Sequence, residues 1–220
     1  MSGHAIGGDA GELLAGSLRG FHGKIPARGD FVRAGLPGSF VAAWDGWLQE
    51  VLPFSRVELG DSWLPAWLEA PIWYFALPPG LCGPDAVLGV WMPSVDRAGR
   101  HFPLTLAAVA AGASAATLVL RDSGAWLGRA ERAGLDALEY DTPPDALALQ
   151  LQTSAEPGAV PLPDAVSLHA LATDPDASLW WTQGAPRVPA ATILRHGLPN
   201  GPAFIAMLQA GNPGCPGESP

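Results

Sequence analysis

Apolar residues recur along the chain in two rhythms. Between Phe40 and Val51 they fall at Phe40, Val41, Trp44, Trp47, Leu48 and Val51, one stripe of a 3.6-residue period. This spacing predicts a helix capped by Ser39 and closed at Leu52 by Pro53, with Asp45 and Glu50 facing away. Elsewhere they run in short unbroken blocks: Ile72–Leu77 ends at Pro78-Pro79-Gly80, Ala86–Met92 ends at Pro93, and Leu104–Val109 follows. Short, wholly apolar blocks are what strands covered on both faces require.

The remaining pattern adds a strand at Ser17–Ile25, a short helix capped by Asp61 through Trp63 and Trp67, and a helix from Ser123 to about Tyr140. A further helix starts at Pro143-Pro144-Asp145, and Thr153–Asp164 reads as an irregular loop. Ala177–Thr182 and Thr192–Leu194 read as late strands and Ala203–Ala210 as a last helix. Helices and strands alternate with no composition break, which predicts a single α/β domain over residues 17–210. Residues 1–16 are expected to be flexible and 211–220, rich in Gly and Pro, to be a disordered tail.

Composition sharpens this picture. Of 220 residues, 27 are Gly and 23 are Pro, which drifts toward low complexity, but nine Trp call for a large folded core. Phe102–Leu120 holds 19 uncharged residues, long enough for a membrane span. Its Pro103, Gly112, Ser114 and many Ala instead favour a strand, a turn and a second apolar segment at Thr117–Leu120. No secretory leader is visible, so a cytoplasmic location without membrane insertion is expected. Cys82 and Cys215 form neither a metal spacing nor a disulfide framework and are expected to be reduced thiols.

The net charge of −9 argues against general affinity for nucleic acid or anionic lipid. Residues 1–121 hold ten acids against eight bases, and residues 122–220 eleven against four. Within the first part, Arg19, Lys24, Arg28 and Arg33 against Asp30 form a basic island.

Two segments combine charged and turn residues: Lys24 to Asp30, and Ser94 to His101. Three uses fit Lys24, Arg28, Asp30, Ser94, Asp96, Arg97 and Arg100. They could pin the two loops by Arg–carboxylate pairs, for instance Arg28 with Asp96 and Arg97 with Asp30. They could offer a cationic patch (Lys24, Arg28, Arg97, Arg100) to an acidic or phosphorylated partner. Or a small-ligand or catalytic site could lie between the loops at 24–30 and 94–101. No glycine-rich loop ends in a Lys-Ser/Thr pair, and Pro93-Ser94-Val95 is not a nucleophile elbow. The five histidines have no metal spacing, leaving only a three-dimensional His22/Asp30/Asp96/His101 constellation conceivable. No cofactor and no catalytic residue is expected. Most tryptophans fall at core spacing, while in Trp180-Trp181 one ring is free to reach an interface.

Three long stretches, GFHGKIPARGDFVRAGLPGSFVAAWDGWLQE, LGDSWLPAWLEAPIWYFALPPG and GVWMPSVDRAGRHFPLTL, resemble the TagF (ImpM) family of type VI secretion-associated proteins, as do SLWWTQG and GLPNGPAFIAML later on. The resemblance implies a three-layer α/β/α sandwich, and a mixed, largely antiparallel sheet is expected within it. It also implies a non-catalytic cytosolic accessory protein that represses assembly or firing of the secretion machine after translation. The implied partner is the forkhead-associated scaffold protein of that system. Lys24, Arg28, Gly29, Asp30, Pro93, Ser94, Asp96, Arg97, Gly99 and Arg100 fall on motif positions.

Overall fold

The computed structural model describes residues 16–122, 124–152 and 160–210. In chain order the elements are β1 (Leu18–Gly23), β2 (Val32–Ala34), α1 (Gly38–Leu59), a 3-10 turn (Gly60–Ser62), α2 (Trp63–Leu68), β3 (Trp73–Leu77), β4 (Ala86–Met92) and β5 (Leu104–Ala110). They continue with α3 (Ala115–Asp122), α4 (Ala125–Glu139), α5 (Pro144–Gln152), α6 (Ala165–Thr173), β6 (Ala177–Thr182), β7 (Ala191–His196) and α7 (Gly201–Leu208). The strands form one seven-stranded sheet in the order β2-β1-β5-β4-β3-β6-β7. Each of its pairings is antiparallel, so the parallel component allowed for in the expected mixed sheet does not occur among the described residues.

Alternation along the strands divides the core in two. On one face Tyr74, Leu88, Val90, Leu106 and Trp181 pack with Trp126, Leu127, Leu118 and Leu147 from α3, α4 and α5. On the other Trp73, Phe75, Trp91 and Trp180 pack with Trp44, Trp47, Trp67 and Phe204 from α1, α2 and α7. Two helical layers thus sandwich the sheet, as the resemblance implies. β3, β4 and β5 are buried at every position, which is why they read as unbroken apolar blocks. Opposite Phe75 in the β3–β4 ladder stands Gly89. A side chain at 89 would strike the Phe75 ring, so glycine lets that ring lie across the neighbouring strand.

The structure departs from expectation at several ends. α1 begins at Gly38 after Pro37, with no side-chain cap from Ser39, and it continues through Pro53 to Leu59. Tertiary ties carry the last turns past the proline: Trp63 Nε1 donates to Ser55 Oγ at 3.0 Å, and Arg56 Nη2 donates to the His101 carbonyl at 3.0 Å. Asp61 lies in the 3-10 turn and does not cap α2. Thr117–Leu120 belongs to helix α3, so the uncharged 102–120 stretch is a strand and a helix. No helix among the described residues is long and apolar enough to cross a membrane. α4 starts after Gly124, in left-handed conformation, while Ser123 lies outside the described residues. α6 was not expected; Asp164 caps it by accepting from the Ser167 N–H at 2.8 Å. All but Gly16 of the expected flexible start over 1–16, most of the 153–164 loop, Cys215 and the 211–220 tail lie outside the described residues.

Candidate functional site

β1 delivers Lys24 at its end, and the turn after β4 delivers Ser94 to Arg100. Gly23 makes their meeting possible. Its φ of 141° favours glycine, and a methyl there would run into the Pro103 carbonyl. The Lys24 N–H then donates to that carbonyl at 3.3 Å, and Ser94 Oγ donates to the Lys24 carbonyl at 2.6 Å. Arg97 N–H donates to the Arg28 carbonyl at 3.0 Å. The two loops are therefore in register through backbone and hydroxyl bonds.

Asp96, only 3% exposed, is the hub. Its Oδ2 accepts from Lys24 Nζ and from Arg100 Nε, each at 2.7 Å. Its Oδ1 accepts from the backbone N–H groups of Ala98 and Arg100, each at 2.9 Å. Burial alone would raise the carboxyl's pKa. The Lys24 ammonium, the Arg100 amide and guanidinium and the Ala98 amide outweigh it and hold the group well below the carboxylate range. Arg100 Nη2 also donates to the Gly29 carbonyl.

The loops are thus pinned by carboxylate pairs, but not by the expected ones. Arg28–Asp96 and Arg97–Asp30 do not form; Lys24 and Arg100 hold Asp96, while Asp30 is exposed and makes no ion pair among the described residues. The four-cation patch is correspondingly reduced. Lys24 is buried and Arg100 shares the Asp96 carboxylate with it, so Arg28 and Arg97 are the patch cations without a carboxylate among the described residues. Both are exposed, and their guanidinium groups converge on one acceptor: Arg97 Nη2 donates to the Ala27 carbonyl at 3.1 Å and Arg28 Nη1 at 3.4 Å.

The His22/Asp30/Asp96/His101 constellation does not assemble: His22 bonds to Asp45, Asp96 is taken, and His101 packs edge-on against Trp63. Among the described residues no group of three or more His, Cys, Asp or Glu is placed to hold a metal ion. Trp180 and Trp181 are both buried, on opposite faces of β6, so neither ring reaches the surface. Trp180 stacks on Trp44, and Trp181 Nε1 donates to the Pro161 carbonyl at 3.0 Å. Cys82 is likewise buried, and its thiol is pushed up to about 12 by desolvation.

Sequence reasoning missed a neighbouring feature. Asp45 does not simply face away from the α1 stripe; its Oδ1 accepts from His22 Nε2 on β1 at 2.6 Å. Phe31 stacks on the His22 ring at 6.0 Å between centroids, and Phe102 meets Phe31 edge-on at 4.7 Å. Lys24 Nζ lies 5.0 Å from the Phe31 centroid, which joins this aromatic corner to the Asp96 hub. The one visible signal was His22 and Phe31 bracketing the basic segment.

The fold has a solved counterpart. The crystal structure of PA0076 from Pseudomonas aeruginosa PAO1 superposes with a TM-score of 0.75 and 38% sequence identity, over 92% of this chain and 99% of that one. The TagF N-terminal domain, described as type VI secretion system-associated, matches residues 20–154, a span that holds both loops and the aromatic corner. The chain therefore belongs to the TagF family and is a type VI secretion-associated protein. No curated protein matches it.

Proposed function

We propose that this chain is a non-catalytic cytosolic repressor of its type VI secretion system, acting after translation by binding the forkhead-associated scaffold protein. The observation that supports this reading is the convergence of Arg28 and Arg97 on the Ala27 carbonyl. Asp96, the carboxylate that would otherwise neutralise them, is turned inward and held by Lys24 and Arg100. Two guanidinium groups on a pinned loop pair are pre-organised for carboxylates on a partner, because little side-chain freedom remains to be lost on binding. The same geometry weighs against a ligand or catalytic site between the loops, since their polar groups are bonded to one another across that space.

The test is repression in cells. Overproduced wild-type chain should suppress effector release, and the Arg28→Glu/Arg97→Glu double variant should restore it at equal protein level. Undiminished repression by the folded double variant would overturn the role of this pair.

A further inference from the structure

The sheet edge carries a second feature that the loop hub leaves unused. A cleft of about 410 Å³ opens between β2 and α1, walled by His22, Phe31 and Phe102, floored by Val41, and rimmed by Arg33 and Asp45. Phe31 leaves 55% of its surface in water, a large aromatic exposure beside an open cleft. The Arg33 guanidinium is exposed and makes no ion pair or hydrogen bond among the described residues. Asp45 uses Oδ1 for His22, while its Oδ2 accepts no hydrogen bond among the described residues. Among the described residues β2 is an edge strand, paired with β1 alone.

We propose that this cleft receives an extended segment of a partner protein in which an aromatic side chain is flanked by a carboxylate. Each part of that chemistry answers a group on the walls. An aromatic ring completes the Phe31–Phe102 corner, where edge-to-face contacts are already set up. A carboxylate matches the unpaired Arg33 guanidinium on the strand wall. A backbone N–H of the segment meets Asp45 Oδ2 on the helix wall. The free edge of β2 gives an extended chain somewhere to lie, with alternate side chains directed toward the cleft. This inference stands apart from the identity of the repressed scaffold, since it concerns a different surface from Arg28 and Arg97 and is read with synthetic peptides.

The probes are three fluorescein-labelled pentapeptides titrated against the full chain: Asp-Glu-Phe-Asp-Glu, its aromatic-free form Asp-Glu-Ala-Asp-Glu, and the basic Lys-Lys-Phe-Lys-Lys. The acidic aromatic peptide should bind about tenfold tighter than either of the others. Arg33→Glu should abolish that preference, Phe31→Ala should weaken binding by about fivefold, and Arg33→Lys should retain part of it. The Arg33 side chain is exposed and unpaired among the described residues, so unchanged thermal unfolding should accompany the loss in Arg33→Glu. The proposal is overturned if the basic peptide binds as well as the acidic one, or if Arg33→Glu binds the acidic peptide like wild type. It is also overturned if phenylacetate competes as tightly as the peptide, which would make the cleft a small-acid site. Self-association that Arg33→Glu removes would equally overturn it, in favour of a second copy of the chain.

Discussion

Lys24 Nζ donates to Asp96 Oδ2 at 2.7 Å across 72 positions of sequence, in a contact that is buried on both sides. A pair of this kind is costly to assemble and more costly to break, because removing one partner strands the other's charge away from water. Lys24→Met should therefore lower the thermal midpoint by several degrees, and Asp96→Asn should do the same. The Lys24→Met/Asp96→Asn double variant should lose less than the two singles combined, since no ammonium is left facing a neutral amide and the amide oxygen at position 96 can still accept from the Ala98 and Arg100 amides. A double variant as unstable as the two singles combined would contradict this coupling.

Acid sensitivity should have two separable limbs. Asp96 titrates in the folded chain below its ordinary 3.8, so its contribution is whole above that value and drains away as pH falls below it. The His101 pKa is lowered from 6.5 by burial and by the Arg56 charge, which outweigh the opposing pull of Asp96. Its folded form also resists protonation, so stability is whole above 6.5 and declines as pH falls below that value. In urea unfolding followed across pH, His101→Gln should flatten the upper limb, while Asp96→Asn should remove the lower limb and deepen the upper one, because His101 then loses the opposing pull of Asp96.

Trp180 should behave as core and not as an interface residue. It stacks on Trp44 with centroids 5.9 Å apart, and its Nε1 donates to Ser178 Oγ at 2.9 Å. Trp44 Nε1 in turn donates to Thr105 Oγ1 at 2.9 Å. Replacing either fully buried ring with alanine should cost about 3–5 kcal/mol. Trp44→Phe should cost about 1–3 kcal/mol, since the Thr105 hydroxyl loses its partner. Chemical denaturation reads both.

Gly23→Ala should disturb the hub from outside it. The left-handed φ and the Pro103 carbonyl leave no room for a methyl group, so the end of β1 must shift and carry Lys24 with it. The expected result is a lower midpoint together with a weaker effect of adding Asp96→Asn, because the contact with Lys24 is already strained. Additive losses would show that Gly23 and the hub are independent.

The parts of this fold written in local pattern were legible. Ala86–Met92 has the bounds its apolar run suggests, because a strand buried on both faces admits no polar residue until Pro93. The α1 stripe was equally plain, but its end was not. Pro53 breaks a helix only where nothing else holds the chain, and here Ser55 and Arg56 are tied to Trp63 and His101. α6 was hidden because its residues Val166 and His169 are exposed and carry no clear stripe; Asp164 with Ser167 three positions later was its one local mark. In the site, the segments and the residue types were readable, and so was the pinning of one loop by the other. The partners were not. Which cation reaches Asp96 depends on the strand register that sets β1 beside β5, and the His22–Asp45 contact depends on α1 lying over β1, neither of which spacing along the chain encodes.

In the proposed function, Arg28 and Arg97 form the contact to the scaffold. Calorimetric titration of purified forkhead-associated scaffold into the full chain, with wild type and the Arg28→Glu/Arg97→Glu variant side by side, tests it most directly. Wild type should bind saturably and the double variant should lose about tenfold or more in affinity, with thermal unfolding unchanged. Equal affinity of the two, or no binding by wild type at all, would contradict it.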